Sequence, residues 1–459
     1  MPSSPNPTTL IESRNTSNAN ARREPTAVRW VFPESLVTKL ANGHRLGRCA
    51  GCDECISRDS ANARTVMSGS VISRHHARFE VDGPIIVVRD MDSANGLFIN
   101  GRRTTQAPVR IDDVIRCGEW VGVVVADSHE QGFCEISEGW FGGATLATLV
   151  APLRSLAHDI PVIIQGETGT GKEGLARAIH IWSRRRGSFV GFNCAAIPEN
   201  LAESELFGYA KGAHSLAHRE TPGLFRTANR GTVFLDEVLD LSLPVQAKLL
   251  RVLELNEVLP LGMNSPVPID VRVIVAAQES LCDAAHDGRM RMDLYARLDG
   301  FVVELPPLRN RREDIVPLFF RVWLDRTAGQ QPTFDGKFAE LLSTYDWPLN
   351  VRELVLLVRR LVAIHGPSAA LKRSCLPERM LTLLREERHE SEVPQVEPAK
   401  RTWRKLDDEE EFDALVAALR ENDGNVSRAA KTIGMDRNRA NRLLAAHSEF
   451  SVQDLRSGG

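Results

Sequence analysis

Short apolar segments separated by turn residues occupy the chain from about Val28 to Ala126. Their length and β-branched content predict strands at Ala77–Val81, Ile85–Asp90, Leu97–Ile99, Val109–Ile111 and Trp120–Val125. Asn95-Gly96 and Asn100-Gly101 are strong turn signals, because both residue types tolerate positive φ. The pattern predicts an all-β module, built as a sandwich.

From about Phe141 to His365 the pattern changes to apolar strands that alternate with longer helical stretches. The clearest strands are Val162–Gln165, Val233–Leu235 and Val271–Ala276. Such alternation predicts a parallel sheet covered by helices. Beyond Arg309 the pattern is helical, which predicts a helical subdomain at the end of this block.

Near the carboxyl end, Phe412, Leu415, Val416 and Leu419 fall on one face of a helix. Gly424-Asn425 then breaks the chain before a second helix over 426–432, and Asp436 caps a third that runs to about residue 446. Two helices joined by a short Gly-containing turn predict a helix-turn-helix.

This segment is locally basic, which favours DNA as its partner over the alternative of a three-helix oligomerisation module. A recognition helix presents its first residues to base edges. The candidates there are Arg437, Asn438 and Arg439, with Arg442 assigned to phosphate.

The amino-acid composition does not change this division of the chain into domains. The chain has 459 residues, 42% of them hydrophobic and 25% charged, with a net charge of −3, which is ordinary for globular domains. Its longest apolar runs fall far short of the roughly 20 residues of a membrane helix. Residues 1–26 are rich in Ser, Asn, Thr and Pro and predict a disordered leader without a secretory signal, so a reduced cytoplasmic setting is expected.

Three of the eight cysteines, Cys49, Cys52 and Cys55, form a tight cluster. Their spacing is compatible with a metal site or a redox pair. No fourth ligand stands at a recognisable spacing, which favours a thiol-rich surface loop.

A glycine-rich segment directly follows the strand that ends at Gln165 and opens a helix. Its residues are Gly166, Glu167, Thr168, Gly169, Thr170, Gly171, Lys172 and Glu173. Glycines let the backbone approach phosphates, the helix amino terminus favours an anion, and Lys172 neutralises the β and γ phosphates. Glu173 replaces the usual Ser or Thr, so the pattern is imperfect.

A second motif, Gly231–Glu237, is an apolar strand that ends in two adjacent carboxylates. Asp236 is placed to hold Mg²⁺, and Glu237 is placed to polarise the attacking water. The two motifs together predict nucleotide hydrolysis, with ATP and Mg²⁺ as cofactors.

The stretch from Phe141 to Ala363 resembles the AAA+ domain of sigma-54-dependent enhancer-binding activators, in which glutamate normally follows the lysine of the Walker A motif, as Glu173 does. Further matches are Phe192–Ile197, Glu203–Gly208, Lys248–Leu253, Leu305–Arg309 and Trp347–Leu354.

The resemblance implies that Asn193 is a switch partner of Glu237 and that Arg352 senses nucleotide from the helical lid. It implies that Arg291 and Arg297 act as arginine fingers in a neighbouring subunit of a hexameric ring. It also implies sigma-54 RNA polymerase holoenzyme and upstream enhancer-like DNA as partners, in a bacterial cytoplasm.

In this family a loop with the signature GAFTGA contacts sigma-54. The aligned residues are Gly212, Ala213, His214, Ser215, Leu216 and Ala217. His214 replaces an apolar anchor, Ser215 keeps a hydroxyl, and Leu216 removes the backbone freedom of a glycine. Two hypotheses follow: an ATP-driven activator of sigma-54 polymerase, or a DNA-bound regulator that has lost this coupling and acts as an antagonist, mixed-ring subunit or scaffold.

The front module is similar to a forkhead-associated (FHA) domain, a sandwich whose loops bind phosphothreonine peptides. The match rests on Leu46–Arg48, Ser73–His76, Asp92–Gly96 and Ile99–Gly101. Arg48 and Arg74 supply guanidinium charge to a phosphate, Ser73 adds a hydroxyl donor, Asn95 holds the peptide backbone, and His76 braces the loops. The resemblance implies input from a phosphothreonine protein or a Ser/Thr kinase.

The carboxyl-terminal segment resembles the Fis-type domain of these activators. The expected fold class is therefore multidomain: an all-β FHA sandwich, an α/β AAA+ P-loop ATPase with a helical lid, and an all-α helix-turn-helix. The expected boundaries are a leader at 1–26, the FHA domain at 27–126, a linker at 127–140, the AAA+ domain at 141–366 with its lid from about 309, a linker at 367–405 and the Fis-type domain at 406–449.

Overall fold

The computed structural model describes residues 25–47, 64–66, 71–73, 75–82, 85–126, 132–156, 160–213 and 218–381, and residues 412, 415, 416, 419 and 444 near the carboxyl end. The chain divides into two compact units, residues 1–384 and 385–459. Among the described residues, no helix combines the length and the apolarity that crossing a bilayer requires.

The first unit begins with a two-sheet sandwich. In chain order its strands are β1 (Ala27–Phe32), β2 (Leu36–Lys39), β3 (Arg45–Gly47), β4 (Arg64–Val66), β5 (Ala77–Asp82), β6 (Ile85–Asp90), β7 (Leu97–Ile99), β8 (Arg102–Thr104), β9 (Gln106–Val109), β10 (Val114–Cys117) and β11 (Trp120–Val125). One sheet has the order β2-β1-β11-β10-β7-β8 and the other the order β4-β3-β5-β6-β9. The predicted sandwich is confirmed.

The sandwich core is built on a pair of tryptophans from paired strands. The rings of Trp30 and Trp120 meet edge to face with centroids 6.1 Å apart, and both side chains are buried. Gly122 faces Trp30, and a Cβ at Gly122 would lie 2.8 Å from that indole. The absence of a side chain at this position therefore lets the ring pack against the backbone of β11.

The strand predicted over Val109–Ile111 is wrong beyond its first residue, because only Val109 lies in a strand. Strand β9 ends at Val109, and a turn leads into β10. The Asp113 carboxylate accepts a 2.6 Å hydrogen bond from the Arg110 amide, and Asp112 adopts φ +70°. A side-chain cap of this kind favours a turn over continued pairing.

Residues 127–140 were expected to be a linker, but their end is structured. Strands β12 (Cys134–Ser137) and β13 (Trp140–Gly142) form an antiparallel hairpin. Ile136 is buried, and the Trp140 indole covers the start of the following P-loop helix, where a Cβ at Gly174 would lie 2.6 Å from the ring. Apolar side chains thus fix this hairpin to the next domain.

The α/β domain alternates strands and helices as predicted. Its elements are α1 (Ala144–Val150), β14 (Val162–Gln165), α2 (Lys172–Ser183), β15 (Phe189–Asn193), α3 (Glu199–Phe207), α4 (Gly223–Thr227), β16 (Thr232–Asp236), α5 (Leu243–Leu255), β17 (Glu257–Val258), β18 (Val267–Pro268), β19 (Arg272–Ala277), α6 (Leu281–His286), α7 (Met292–Leu298) and β20 (Phe301–Glu304). The central sheet has the order β15-β16-β19-β14-β20, with every pair parallel. All carboxyl ends of its strands therefore meet at one edge.

The helical lid follows the sheet. Its elements are α8 (Ile315–Arg326), β21 (Thr333–Phe334), α9 (Gly336–Thr344), α10 (Asn350–His365) and β22 (Ala370–Leu371). The linker expected from residue 367 does not begin there, because Leu371, Leu376 and Met380 are buried in the lid core. These apolar side chains extend the lid to the end of the continuously described chain.

In the second unit, Phe412, Leu415, Val416, Leu419 and Leu444 are helical. Leu415 and Leu419 are fully buried. Phe412, Leu415, Val416 and Leu419, whose spacing predicts one apolar face of a helix, are therefore helical, and two of these four residues are fully buried.

The sandwich packs directly on the lid. We call this contact the sandwich–lid interface; its buried apolar residues are Val31, Phe32, Val114, Val121, Val123, Val316 and Ala339. The rings of Phe32 and Phe334 stack across it with centroids 5.0 Å apart. Because the second face of β1, β10 and β11 is covered in this way, these strands are buried on both faces.

A charged pair is buried in the same interface. Arg116 of β10 donates from Nε to Oε2 of Glu340 in α9 at 2.8 Å, and the two side chains are only 6% and 5% exposed. The Arg116 guanidinium also lies 3.7 Å from the centroid of the Phe98 ring. Loss of one partner would leave an uncompensated buried charge, so the pair fixes how the two domains meet.

Carboxylates also cluster where Asp112 of the sandwich meets Glu313 at the start of the lid. Burial, followed by the nearby charge of Glu313, raises the pKa of Asp112 to about 6, and Arg312 opposes the shift. Burial raises the pKa of Asp314 as well, and Glu313 adds to that shift. Ionised carboxylates therefore destabilise this part of the folded protein.

We expect Asp112→Asn to stabilise the protein at pH 8. The pKa of Asp112 in the folded protein lies above its usual 3.8. As the pH rises from about 4 to about 6, the wild type therefore loses stability relative to the variant. Above pH 6 the difference in stability between the two proteins is constant. Each pKa unit corresponds to about 1.4 kcal/mol, and solvent screening reduces this, so a gain on the order of 1–2 kcal/mol is expected. Asparagine also tolerates the positive φ.

Thermal unfolding midpoints at pH 4 to 8 test this expectation. The difference between variant and wild type should be largest at pH 7–8, smaller at pH 5 and nearly absent at pH 4. A difference that is independent of pH, or a variant less stable than the wild type at pH 8, would contradict it.

Candidate functional site

The glycine-rich loop connects β14 to α2 at the carboxyl edge of the sheet. Gly166, Gly169 and Gly171 have φ values of +147°, +79° and +106°, which side chains other than glycine rarely adopt. Lys172 is the first residue of α2, and its Nζ donates to the Gly166 carbonyl at 2.8 Å. The lysine ammonium is therefore held over the loop.

Two neighbouring strands bring the acidic residues to the same edge. Asn193 and Asp236 are paired in register at the ends of β15 and β16. Glu237 follows with φ +52°, and its Oε1 lies 3.7 Å from the Lys172 Nζ. The structure thus brings Lys172, Asp236 and Glu237 together, as both motifs predicted.

The partner that holds Glu237 was missed by the sequence reasoning. Gln278, the residue after β19, donates from Nε2 to the Glu237 Oε1 at 2.9 Å. The Asn193 side chain instead accepts from the Ala195 amide at 3.0 Å and caps a short 3-10 helix. A polar residue directly after the central strand β19 was the available signal, because β19 lies next to both β14 and β16.

The electrostatics of Asp236 suit a cation. Burial raises the pKa of its carboxyl, and the Lys172 ammonium opposes that shift. A carboxylate that is costly to ionise alone is stabilised by a nearby divalent ion, and carboxylate oxygens are ligands that Mg²⁺ prefers. The donor set therefore fits the magnesium that accompanies a nucleotide.

The lid holds the glycine-rich loop from its other side. Arg309 donates two hydrogen bonds to the Glu167 carboxylate, at 2.9 and 2.5 Å, and this pairing lowers the pKa of Glu167. Asn350 donates to Glu167 at 3.1 Å and to the Thr168 carbonyl at 3.0 Å. The buried Arg311 donates to the Thr170 carbonyl at 2.8 Å.

The predicted sensor and finger arginines lie at separate places. Arg352 stands in the first turn of α10, where a Cβ on Gly169 would lie 3.0 Å from its own Cβ, so it is next to the loop. Arg291 pairs with Asp293 at 2.6 Å, and Arg297 donates to the Leu253 carbonyl at 2.8 Å. Both finger candidates are exposed on α7 or at its start.

The FHA loops are braced by a buried histidine. His76 Nδ1 accepts from the Ser73 amide at 3.3 Å, and its Nε2 donates to the Gly96 carbonyl at 3.1 Å. Burial lowers the pKa of His76, which favours the neutral ring that this arrangement needs. The Ser73 hydroxyl oxygen accepts from the Ala94 amide at 2.9 Å, so its own proton is directed elsewhere. Asn95 donates to the Val71 carbonyl at 2.5 Å.

Several predicted residues fall outside the described part of the chain. These are Arg48 and Arg74 of the phosphopeptide site, the cluster Cys49, Cys52 and Cys55, the loop residues His214, Ser215, Leu216 and Ala217, and the DNA-binding candidates Arg437, Asn438, Arg439 and Arg442. Gly212 and Ala213 are described and exposed, and Ala213 packs against Gly262.

Four family models match the chain. Residues 144–304 match the sigma-54 interaction domain, 44–118 the FHA domain, 309–393 the AAA+ ATPase lid domain, and 408–439 the bacterial regulatory proteins of the Fis family. The matches follow the order of the sandwich, the α/β domain, the lid and the carboxyl-terminal unit.

The chain is also similar to curated bacterial regulators. It is 41% identical over 298 residues to the acetoin dehydrogenase operon transcriptional activator AcoR of Bacillus subtilis, covering 64% of this chain and 48% of that protein. It is 46% identical over 216 residues to the hydrogenase transcriptional regulatory protein HoxA of Cupriavidus necator, covering 46% of this chain and 45% of that protein. It is 36% identical over 310 residues to the DNA-binding transcriptional regulator NtrC of Rhizobium meliloti, covering 62% and 64% respectively.

The chain thus spans about half the length of the first two relatives. The FHA and Fis-family models match on either side of the sigma-54 interaction domain. The chain therefore carries an FHA domain, a sigma-54 interaction domain with an AAA+ lid and a Fis-family domain in that order, and its homologues are NtrC-like sigma-54-dependent activators.

Proposed function

We propose that this protein is an ATP-hydrolysing, DNA-binding transcription regulator that remodels sigma-54 RNA polymerase under phosphothreonine-dependent control. The observation that carries the proposal is the meeting of Lys172, Asp236 and Glu237 at one edge of a parallel sheet within a sigma-54 interaction domain. We place its action in the bacterial cytoplasm, with the polymerase.

Each residue at this edge of the sheet has a separate role in ATP hydrolysis. The backbone amides of residues 166–173 and the Lys172 ammonium bind the phosphates of ATP. Asp236 holds Mg²⁺, which would neutralise charge on the phosphates when bound. Glu237, oriented by Gln278, accepts the proton of the attacking water.

Hydrolysis also requires a positive charge from outside the protomer. Arg291 and Arg297 are exposed and, within their own chain, bond to Asp293 and to the Leu253 carbonyl. In a hexameric ring these side chains reach the nucleotide of the adjacent subunit. Within its own subunit, Arg352 senses the nucleotide from the lid, and Asn193 acts as a switch partner of Glu237. An arginine finger supplied in this way contributes on the order of 10³–10⁵ in rate.

Glu237→Gln should abolish turnover while leaving ATP binding in place. The amide keeps the shape of the side chain and its contact with Gln278 but does not accept a proton, so kcat should fall by about 10²–10⁴-fold. Steady-state ATPase assays at concentrations that allow self-assembly, together with nucleotide titrations, measure the two effects. Glu254→Gln, an exposed neutral replacement on α5, is the matched control. Wild-type turnover by Glu237→Gln would remove Glu237 from the chemistry.

The target of the ATPase is set by the loop that begins at Gly212. The match to the sigma-54 interaction domain favours sigma-54 as that target. The substitutions at His214, Ser215 and Leu216 favour the second candidate, a regulator that hydrolyses ATP on DNA but acts as an antagonist, mixed-ring subunit or scaffold.

Promoter opening separates these two functions. With purified sigma-54 holoenzyme and a promoter carrying the upstream site, the wild type plus ATP should give open complexes, which permanganate footprinting detects, whereas Glu237→Gln should give none. Restoration of the family motif by His214→Phe, Ser215→Thr and Leu216→Gly together should preserve or raise the yield. Active ATP hydrolysis with no open complex from the wild type, rescued by the restored loop, would instead establish the uncoupled regulator.

The carboxyl-terminal unit supplies the DNA contact. Arg437, Asn438 and Arg439 are proposed to contact base edges, and Arg442 a phosphate. Binding of this kind weakens steeply with salt, because Lys and Arg displace counterions from the duplex.

The FHA domain supplies the signal. Ser73 and Asn95 are positioned on loops braced by His76, and Arg48 and Arg74 complete the proposed phosphate site. A Ser/Thr kinase therefore stands upstream, with a phosphothreonine protein as the bound partner.

Arg48→Ala should abolish binding of phosphothreonine peptides by the full-length protein. A charge-assisted contact to the phosphate is lost, and we expect the dissociation constant to rise at least tenfold. Fluorescence anisotropy with a degenerate peptide pool fixed at a central phosphothreonine gives the measurement, and the unphosphorylated pool gives the background. Arg45→Ala, three residues away and exposed on β3, is the matched control. Equal binding by the wild type and Arg48→Ala would reject this phosphate site.

A further inference from the structure

The turn between β10 and β11 lies against the phosphopeptide loops. A Cβ at Gly118 in this turn would lie 2.7 Å from the Val71 carbonyl oxygen, and Gly118 adopts φ +60°. The same carbonyl accepts the hydrogen bond from Asn95. The Val71 peptide group is therefore held between a proposed ligand-binding residue and the turn.

The other side of this turn contacts the lid. The Glu119 carboxylate accepts a hydrogen bond from the amide of Gly336, the first residue of α9. A Cβ at Gly336 would lie 2.7–2.9 Å from the backbone of Glu119. Arg116, which donates to the Gly118 carbonyl at 3.3 Å, forms the buried ion pair with Glu340 one turn further along α9.

Helix α9 is in turn tied to the nucleotide loop. Arg312 donates to the Ser343 carbonyl in the last turn of α9 and to Asp346 just beyond it, both at 2.9 Å. The same guanidinium donates to the Arg309 carbonyl at 3.1 Å. Arg309 forms the bidentate pair with Glu167 of the glycine-rich loop.

We propose that this continuous set of contacts couples the two sites: occupancy of the FHA loops by a phosphothreonine peptide and the nucleotide bound at the glycine-rich loop change each other's affinity through the β10–β11 turn and α9. This coupling rests on the phosphopeptide binding proposed above. It makes the FHA domain a fixed part of the nucleotide-sensing lid, in contact with α9 before any signal arrives.

Coupling between two ligands is reciprocal. If the peptide binds the ATP state and the ADP state with different affinities, it shifts nucleotide binding by the same factor. Allosteric couplings typically amount to a factor of 5–150. We therefore expect at least about a fivefold difference in peptide affinity between protein saturated with a non-hydrolysable ATP analogue and protein saturated with ADP.

Gly336→Ala breaks the contact at one point. Gly336 does not require a positive φ, and alanine is a better helix former than glycine, so the substitution suits α9 itself. The new methyl group meets the backbone of Glu119, which separates the turn from the helix. Lys337→Ala, at the next and exposed position of α9, is the matched control, and Glu119→Ala removes the acceptor without adding bulk.

The first measurement is hydrogen exchange of the full-length protein without peptide. Segments 114–124 and 335–343 should exchange faster in Gly336→Ala than in the wild type or Lys337→Ala, with a smaller increase in Glu119→Ala. Unchanged exchange in both segments in both interface variants would overturn the sandwich–lid contact, whatever the FHA domain binds.

The second measurement titrates the labelled phosphothreonine pool against each full-length protein in the two nucleotide states. The wild type and Lys337→Ala should show the affinity difference, and Gly336→Ala should show one affinity in both states. Equal affinities in the wild type, or a difference that persists in Gly336→Ala, would overturn the coupling. Absence of peptide binding by the wild type would instead reject the phosphothreonine input, and the coupling with it, while the exchange measurement still decides the contact.

Discussion

Three arginines in one short segment hold the first unit together. Arg309 binds Glu167, Arg311 donates to the Thr170 carbonyl, and Arg312 spans from the Arg309 carbonyl to the end of α9. Guanidinium groups suit this position because each presents several donors in a fixed plane. Three glycines of the glycine-rich loop have positive φ values, which residues with side chains rarely adopt. Hydrogen bonds from the lid therefore help to fix the conformation of this loop, together with its attachment to the sheet edge.

This constraint makes the lid the link between the glycine-rich loop and the sandwich. The lid is packed on the sandwich through apolar strands and one buried ion pair, so its position is fixed from both sides. Replacing such a pair by well-packed apolar residues is often neutral or stabilising, whereas breaking it is costly. Loss of either Arg116 or Glu340 alone would therefore disfavour this packing of the sandwich on α9.

The sequence predicted the parts of the structure that are encoded locally. Turn dipeptides, the glycine-rich loop and the Asp236-Glu237 strand end each specify a conformation within about ten residues, and the parallel sheet follows from their alternation. The hydrogen bonds from the lid to the glycine-rich loop could not be predicted in this way, because Arg309 and Asn350 are separated from Glu167 by 142 and 183 residues along the chain. Nothing in the spacing of these residues indicates the pairing.

The sequence of the strands at the sandwich–lid interface indicates that they are covered on both faces, but the strand predictions did not use this indication. Sheets with one solvated face alternate apolar and polar residues, yet β11 reads Trp-Val-Gly-Val-Val-Val and is buried throughout, as is β1. A strand of the sandwich without polar positions indicates that another part of the protein covers its outer face, but the sequence alone does not identify that part.

The sandwich packs on the lid and meets α9 there. The carboxyl edge of the sheet carries Lys172, Asp236 and Glu237, which are proposed to bind and hydrolyse the nucleotide, and α7 and its start carry the arginines proposed to serve a neighbouring subunit. The lid contacts the nucleotide loop through Arg309, Arg311 and Asn350 and contributes none of the carboxylates at that edge. A partner that acts on α9 can therefore alter how the loop is held while leaving Lys172, Asp236 and Glu237 in place, which is the arrangement that control of an otherwise complete ATPase requires.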